Sequence, residues 1–566
     1  MIKYICKKCN LNTETSTCPV CGDRSEVENT TVFWCDDCNI PLYDEICPIC
    51  GKQAHRIGSD LRPVFPEERL LLEIMLGEPF KYRNASVWNA SGNLYYANGK
   101  KVPFSVKQTK LLDAKKIREQ LDELSPHDFF NENINKFLVA NRHRYDYITN
   151  EAMEYIRTMA EGVSLTEMFV SFSGGKDSTV VSDLVLRALG TQQVLHLYGD
   201  TTLEFPESAK YVKRFKAEHP KTLVITAKNK DKNFDELCEQ LGPPSRVMRW
   251  CCTIFKTGAI QRKIQSLFKN QKRILTFYGI RRSESNSRNK YDRESDSPKI
   301  AVQRTVSPII DWLDFDVWLY LLTTKTDFND AYRLGYTRVG CWCCPNNSAW
   351  SGFLSEIYMP EQYEKWHTLL IDFAKKIGKP DPEVYVDGGW WKARQGGNGL
   401  DYAQTSVLTF EPCALQENTL NFELQRPITE ELYELFKPFG YINKSLGNER
   451  LGEVYVVGKD GTLQLKLQGK IGQTTLKVSV LNKTAGHSNS LKAVEDKVKN
   501  QITKYQMCMG CLGCESACRF GAIEIITDRS GLVSYKIKDD KCVRCGHCIT
   551  HYDGGCYMRK VMCIKR

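Results

Sequence analysis

Residues Ser171–Thr179 read SFSGGKDST, a run whose residue types suit the holding of phosphate. Gly174 and Gly175 permit tight turns and let backbone amides approach an anion closely. Lys176 supplies a cation for the β and γ phosphates of a nucleotide. Ser171, Ser173, Ser178 and, further on, Thr201 complete the candidate nucleotide-binding set. Asp177 and Asp200 are candidates for Mg²⁺ or a ribose, because a carboxylate beside phosphate needs a cation or hydroxyl to meet. The apolar residues before the run suit a strand, and Val180–Leu189 suits a helix. A helix N-terminus would add partial positive charge at the loop. The Walker spacing GxxxxGK[ST] is absent. An ordinary Gly-rich turn is the plain alternative.

The 24 cysteines fall mostly into metal-ligand spacings. Cys6, Cys9, Cys18 and Cys21 read C-x2-C-x8-C-x2-C, and Cys35, Cys38, Cys47 and Cys50 repeat it 29 residues later. Each quartet can close a tetrahedral S4 site, and so small a module needs metal to fold. Zinc is the expected ion. Iron of the rubredoxin kind has the same spacing. Cys508, Cys511, Cys514 and Cys518, then Cys542, Cys545, Cys548 and Cys556, resemble a bacterial two-cluster ferredoxin. That resemblance implies two [4Fe–4S] clusters with crossed fourth ligands, Cys556 completing the first and Cys518 the second. The chain departs from the pattern in lacking the proline after each fourth cysteine and in the long gap before Cys556. A zinc module is the alternative. Cys251 and Cys252 are adjacent, and Cys341 and Cys344 follow 88 residues later. This CC…C-x2-C set looks like the [4Fe–4S] site of adenylyl-sulfate reductases and related sulfur-inserting enzymes. Buried core cysteines would also account for it.

The loop itself looks like the PP-loop of ATP pyrophosphatases, which split ATP between its α and β phosphates. Four further segments resemble the phosphoadenylyl-sulfate (PAPS) reductase family, in family order: YGDTTLEFPES (Tyr198–Ser208), YGIRRSESNSR (Tyr278–Arg288), SPIIDWLDFDVWLY (Ser307–Tyr320) and AYRLGYTRVGCWCCP (Ala331–Pro345). The resemblance covers roughly residues 165–350 and implies a doubly wound parallel α/β sheet that binds an adenine nucleotide (ATP, adenylyl sulfate or PAPS). Arg281, Arg282 and Arg288 follow a short apolar strand, where arginines can clamp phosphate or sulfate. A solvated charged loop is the alternative for that stretch.

These residues need elements to position them. Val194–Leu197 and Leu275–Ile280 read as buried parallel strands, with Asp200 at a carboxyl edge. Residues 1–58 read as a double zinc ribbon and 59–140 as a small α+β domain, with a hairpin turning at Asn98–Gly99 and a helix over Leu111–Leu124. Residues 141–375 form the nucleotide domain, opened by a helix from Asn141. Residues 376–425 read as loop and linker. There DGGWWKARQGGNG (Asp387–Gly399) suits either packing tryptophans or a mobile closing loop. Residues 426–500 read as a second small α+β domain, an antiparallel sheet packed with helix Thr429–Phe436. Residues 501–566 are the ferredoxin-like part.

A net charge of +10 is modest for 566 residues and hints at anionic ligands. No apolar run of membrane-spanning length occurs, and the expected compartment is the reducing cytoplasm. The chain lacks the ECGLH-like C-terminal cysteine motif of adenylyl-sulfate reductases, and its loop is intact where theirs is commonly degraded. ATP cleavage coupled to sulfur transfer is therefore the first expectation, with Lys176, Asp177, Arg281 and Arg282 at the reacting nucleotide. Cys343 would be the sulfur carrier or nucleophile. The alternatives are reduction of adenylyl sulfate or PAPS to sulfite, and a nucleic-acid-binding or scaffold protein with a vestigial loop. The expected partners are a nucleotide with Mg²⁺, a sulfur or electron donor, and a nucleic acid as sulfur acceptor. Five four-cysteine sets set the metal expectation. Anaerobic metal analysis should find roughly twelve iron and two zinc per chain, and iron near four would mean that one or more sets hold no cluster.

Overall fold

The computed structural model describes residues 4–6, 8–9, 11–13, 18–22, 26–27, 31–269, 271, 273–285, 288–297, 299–405, 407–528, 532–551 and 556–564. Its centre is a six-stranded sheet: β1 (Met168–Phe172), β2 (Leu195–Asp200), β3 (Val224–Lys228), β4 (Ile274–Tyr278), β5 (Glu294–Asp296) and β6 (Gln303–Val306). The order is β3-β2-β1-β4-β6-β5, parallel except for β5. After β1 the chain winds outward to β2 and β3, then returns to place β4 on the other side of β1. The strand order thus reverses between β1 and β4, and ligands of such sheets bind outside the carboxyl ends at that point.

Helices cover both faces, which is why the strands are apolar almost throughout. On one face α1 (Lys176–Leu189) and α3 (Asp314–Thr324) bury Val180, Val181, Leu184, Val317 and Trp318 against Val170 and Phe277. On the other, α2 (Gly258–Leu267) sets Ala259, Ile260 and Ile264 against Phe169 and Leu197. Gly190 ends α1 in the left-handed region, as a helix C-terminus favours.

The N-terminal half follows its sequence closely. Strands Leu94–Ala97 and Lys100–Lys101 pair across Asn98 and Gly99, both at positive φ, and Asp113 caps helix Ala114–Glu123. Gly99 is also pressed on Trp34, whose indole would lie 2.4 Å from an added Cβ. The helix expected from Asn141 runs from Arg142 to Ala160.

The C-terminal third differs from expectation in two ways. The segment 376–425 is not a linker. It forms helix Pro382–Asp387, short turns that bury Trp391 while Trp390 stays exposed, and strands Thr409–Pro412 and Thr419–Glu423. Those strands are two of the six in the antiparallel sheet. Nor does the chain divide near residue 500. Helix Leu491–Met507 runs straight through into Cys508, and a single apolar core joins Leu465, Leu467 and Val478 of the sheet to Leu512, Ile525 and Tyr535 of the cysteine-rich part. Ile502, fully buried on this helix, should therefore act on both parts at once. Ile502→Ala is expected to cost about 2–5 kcal/mol. In urea unfolding, the sheet and the cysteine-rich part should move together, whereas a shift in only one of two transitions would mean separate domains.

Candidate functional site

The Gly-rich loop leaves β1 at Phe172 and enters α1 at Lys176, with Gly174 at φ 71° and Gly175 as the helix cap. Ser171 lies on β1 in register with Leu197 and Tyr278. The loop is held by its own side chains and by a distant segment. Ser173 N–H donates to Ser178 Oγ (3.1 Å), and Ser178 Oγ donates to Gly175 O (2.8 Å). Asn329, fully buried, donates its amide to Gly174 O (3.1 Å), and Lys176 N–H donates to Tyr332 Oη (3.0 Å).

Behind the loop lies a buried chain of charges. Lys176 Nζ is 3.0 Å from Asp177 Oδ2 and 3.2 Å from Asp314 Oδ1. Arg281 bridges the same two carboxylates, at 2.5 Å and 2.6 Å. Both cations show only 4% of their side chains to solvent. Burial works against the charge of Asp177, yet Arg281 and Lys176 outweigh it and hold the carboxyl far below its usual range. Asp60, arriving from the end of the second ribbon, accepts N–H groups of Asp314 (2.9 Å) and Phe315 (3.0 Å) at the start of α3. Burial, then the neighbouring Asp314, pushes Asp60 up to about 7.

The structure thus brings Lys176, Asp177 and Arg281 together. Sequence reading missed Asp314 and Asp60. Asp314 was visible only as one of several acids in SPIIDWLDFDVWLY; nothing marked Asp60 as a partner 254 positions away. The other expected clamps are turned elsewhere. Arg282 pairs with Asp311 and Arg288 with Glu284. Asp200 meets Lys228 (3.2 Å) and caps Thr202 N–H (2.8 Å).

The loop after β2 leads to the internal cysteines. Thr201 Oγ1 lies 3.4 Å from Cys341 Sγ, Glu204 forms a β-bridge with Cys341, and Trp342 N–H donates to Leu203 O. Cys252 opens a π-helical stretch, Cys252–Thr257, a rare widening often found at functional sites. Cys251, Cys252, Cys341 and Cys344 sit close enough for their charges to act on one another. A hydrogen bond from Cys251, helped by Lys256, Arg249 and Lys299, pulls the Cys252 thiol down to about 5 against burial. Burial holds the Cys344 thiol above its ordinary value, with Arg338 and Arg249 acting against it. Among the described residues, none of Arg249, Lys256, Lys299 and Arg338 has a carboxylate in ion-pair reach. Cys343 corrects an expectation. It is 5% exposed within an apolar cluster, and burial pushes its thiol well above its ordinary value, so it is packed as a core residue and is a poor nucleophile.

The remaining quartets differ in spacing. Within each N-terminal quartet the thiols lie within 4.8 Å of one another, as one S4 ion requires. Cys6 Sγ is 3.5 Å from Cys21 Sγ, and Cys35 Sγ is 3.5 Å from Cys50 Sγ. A four-iron cube holds its thiolates further apart than a single ion does. Cys518, Cys542, Cys545 and Cys548 line one cavity, and Ala522 N–H donates to Cys518 Sγ. Cys508, Cys511, Cys514 and Cys556 act electrostatically on one another, with Gly510 and Gly513 amides turned to Cys508 and Cys511. Between these two sets lies Lys504, 1% exposed, its ammonium donating to Cys548 O (2.8 Å). Burial opposes its charge, but Cys514, Cys548 and Cys556 hold its pKa above the ordinary value. Among the described residues it has no carboxylate partner, so anionic sulfur must balance it. That is the donor chemistry of a thiolate-held cluster. The first set also abuts the internal cysteines. Tyr557 hydrogen-bonds Thr253 beside Cys252, and Cys511, Cys556 and Tyr557 share an apolar cluster with Cys251 and Cys341.

Residues 167–347 match the model of the phosphoadenosine phosphosulfate reductase domain. An uncharacterised protein of Methanocaldococcus jannaschii is 32% identical over 46% of this chain and 61% of its own length. A second is 30% identical over 52% of this chain and 57% of its own length. The chain thus spans about three fifths of these curated relatives. An adenosine 5'-phosphosulfate reductase of Oceanobacillus iheyensis is 27% identical over 35% of this chain and 78% of its own length. Among solved structures, phosphoadenylyl-sulfate reductase from Candida auris in a phosphate complex aligns over 35% of this chain and 95% of that one, at 16% identity and a TM-score of 0.28.

One glycine tests the geometry of the loop. A Cβ on Gly279, just after β4, would stand 2.6 Å from the carbonyl carbon of Asp177 and 2.7 Å from Ser178 N, both backbone atoms. Gly279→Ala must therefore shift the start of α1. It is expected to weaken adenine-nucleotide binding at least tenfold, about 1.4 kcal/mol, in calorimetric titration. Unchanged affinity would place the nucleotide elsewhere.

Proposed function

We propose that this chain reduces an adenylylated sulfur oxyanion, adenylyl sulfate or PAPS, releasing sulfite. One observation carries the reading: the placement of unpaired positive charge. Lys176 and Arg281 are already neutralised by Asp177 and Asp314, whereas Arg249, Lys256, Lys299 and Arg338 stand without carboxylates around the internal cysteines. An anionic group is thereby drawn toward Cys252 and Cys344. The Gly-rich loop and α1 would hold the nucleotide phosphate, and Thr201–Leu203 would set the span between the two. Breaking the sulfur–oxygen bond takes two electrons and leaves a nucleoside phosphate and sulfite.

Cys251, Cys252, Cys341 and Cys344, with the two C-terminal quartets, would hold [4Fe–4S] clusters, which supply electrons one at a time. The N-terminal quartets would hold zinc, leaving the ribbons structural. The residues of the chain fix the spacing: Tyr557, Cys511 and Cys556 pack directly on the segment that carries Cys251 and Cys252.

A second reading rests on the complete SGGKDS sequence, which suits cleavage of ATP to AMP and pyrophosphate with sulfur passed to an adenylated acceptor such as a nucleic acid. The buried Cys343 leaves that reading without its expected carrier thiol. The two are separable in one experiment. Reduced, iron-loaded protein given adenylyl sulfate or PAPS should release sulfite without consuming ATP. Arg249→Gln with Lys256→Gln should weaken substrate binding at least tenfold, about 1.4 kcal/mol. Pyrophosphate release from ATP with no sulfite from either sulfonucleotide would favour sulfur transfer instead.

A further inference from the structure

The three cysteine sets differ in how far they lie from solvent, and the difference gives a direction. Cys511, Cys514 and Cys556 are buried and adjoin the internal set. In the outermost set Cys545 is exposed, with Cys518, Cys542 and Cys548 partly so. The surface beside it is apolar and basic. Phe520 and Val543, 48% and 57% exposed, flank the cavity of that set. Cys518, Arg519 and Phe520 continue into a groove of about 730 Å³ between α2 and the hairpin Ile523–Thr527/Val533–Ile537. The groove's acids are already matched: Asp231 and Glu515 by Arg262, and Glu524 by Lys538. Lys269, Arg519 and Lys541 are left without carboxylates among the described residues. Apolar side chains ringed by unmatched cations form a docking surface for an acidic protein.

We infer that this face receives a small acidic electron-carrier protein, which delivers electrons at the Cys545 edge. The inference rests on the reductive reading above and adds the entry point and the chemistry of the donor. Charge steering would bring the carrier in quickly and hold it loosely, as repeated single-electron delivery requires. Phe520 and Val543 would give the contact its dry centre.

The test uses full-length, iron-loaded protein with an acidic flavodoxin as probe and a basic cytochrome c as control. Flavodoxin should bind, and more weakly at high salt. Arg519→Glu with Lys541→Glu should weaken it at least tenfold at low salt, while iron content and nucleotide affinity stay at the parent level. The milder Arg519→Gln/Lys541→Gln pair should give a smaller loss in the same direction. Bleaching of the iron–sulfur absorbance by reduced flavodoxin, followed by stopped flow, should slow in parallel. Equal binding by parent and charge-reversed protein, or tighter binding of the cytochrome, overturns the surface. Docking that behaves as stated in a protein that makes no sulfite would remove the proposed reaction and leave the surface standing.

Discussion

Asp177 and Asp314 share two buried cations, Lys176 and Arg281, and this four-membered arrangement holds the centre of the molecule in register. The four members come from three elements: Lys176 and Asp177 from the start of α1, Arg281 from the loop after β4, and Asp314 from the start of α3. Removing one partner of a buried pair leaves an uncompensated charge, which typically costs about 3–5 kcal/mol. The strand ends around the switch point are therefore fixed before any ligand arrives. Asp60 extends the constraint outward, since its carboxylate satisfies the first amides of α3, which no residue of α3 itself caps in that way. The second cysteine module is thus fastened to the parallel-sheet domain through α3, against which Trp34 and Ile40 also pack by way of Phe315 and Leu319.

The arrangement divides the positive charge of the site into two kinds. At the Gly-rich loop the cations are committed to carboxylates and act as framework. Around Cys252 and Cys344 they have no carboxylate partner among the described residues, and Arg249, Lys256, Lys299 and Arg338 are all exposed. An unmatched cation is free to attract an anion, whereas one already paired with a carboxylate is not.

Much of this was legible in the sequence because the signals were local. Gly174–Gly175 ahead of α1, Asn98–Gly99 between two strands and the repeated C-x2-C pairs all act over a few residues, and their spacing alone implies their geometry. The misreadings involve partners far apart in the chain. Residues 409–423 are polar and short-stranded, and only pairing with Thr475–Val480 makes them part of a sheet. Arg262 reaches Glu515, 253 positions away, and Asp60 reaches Asp314. Cys343 stands beside two exposed-looking neighbours in CWCC, and only packing decides that it points inward. The helix through residue 500 hid the join between two parts because a helix pattern carries no mark of what lies on its two ends.

Lys504 bears on how the C-terminal part holds together. Its ammonium lies between two cysteine sets and, among the described residues, no carboxylate balances it, so its counter-charge comes from the surrounding sulfurs. Cys514 supplies that anion: burial opposes its charge, but Lys504 and then His551 pull its thiol down to about 6, so lysine and thiolate balance each other in the closed fold. Loss of either charge would leave the other alone in an apolar interior, so a change at Lys504 is felt at the Cys514 sulfur and a change at Cys514 is felt along helix Leu491–Met507.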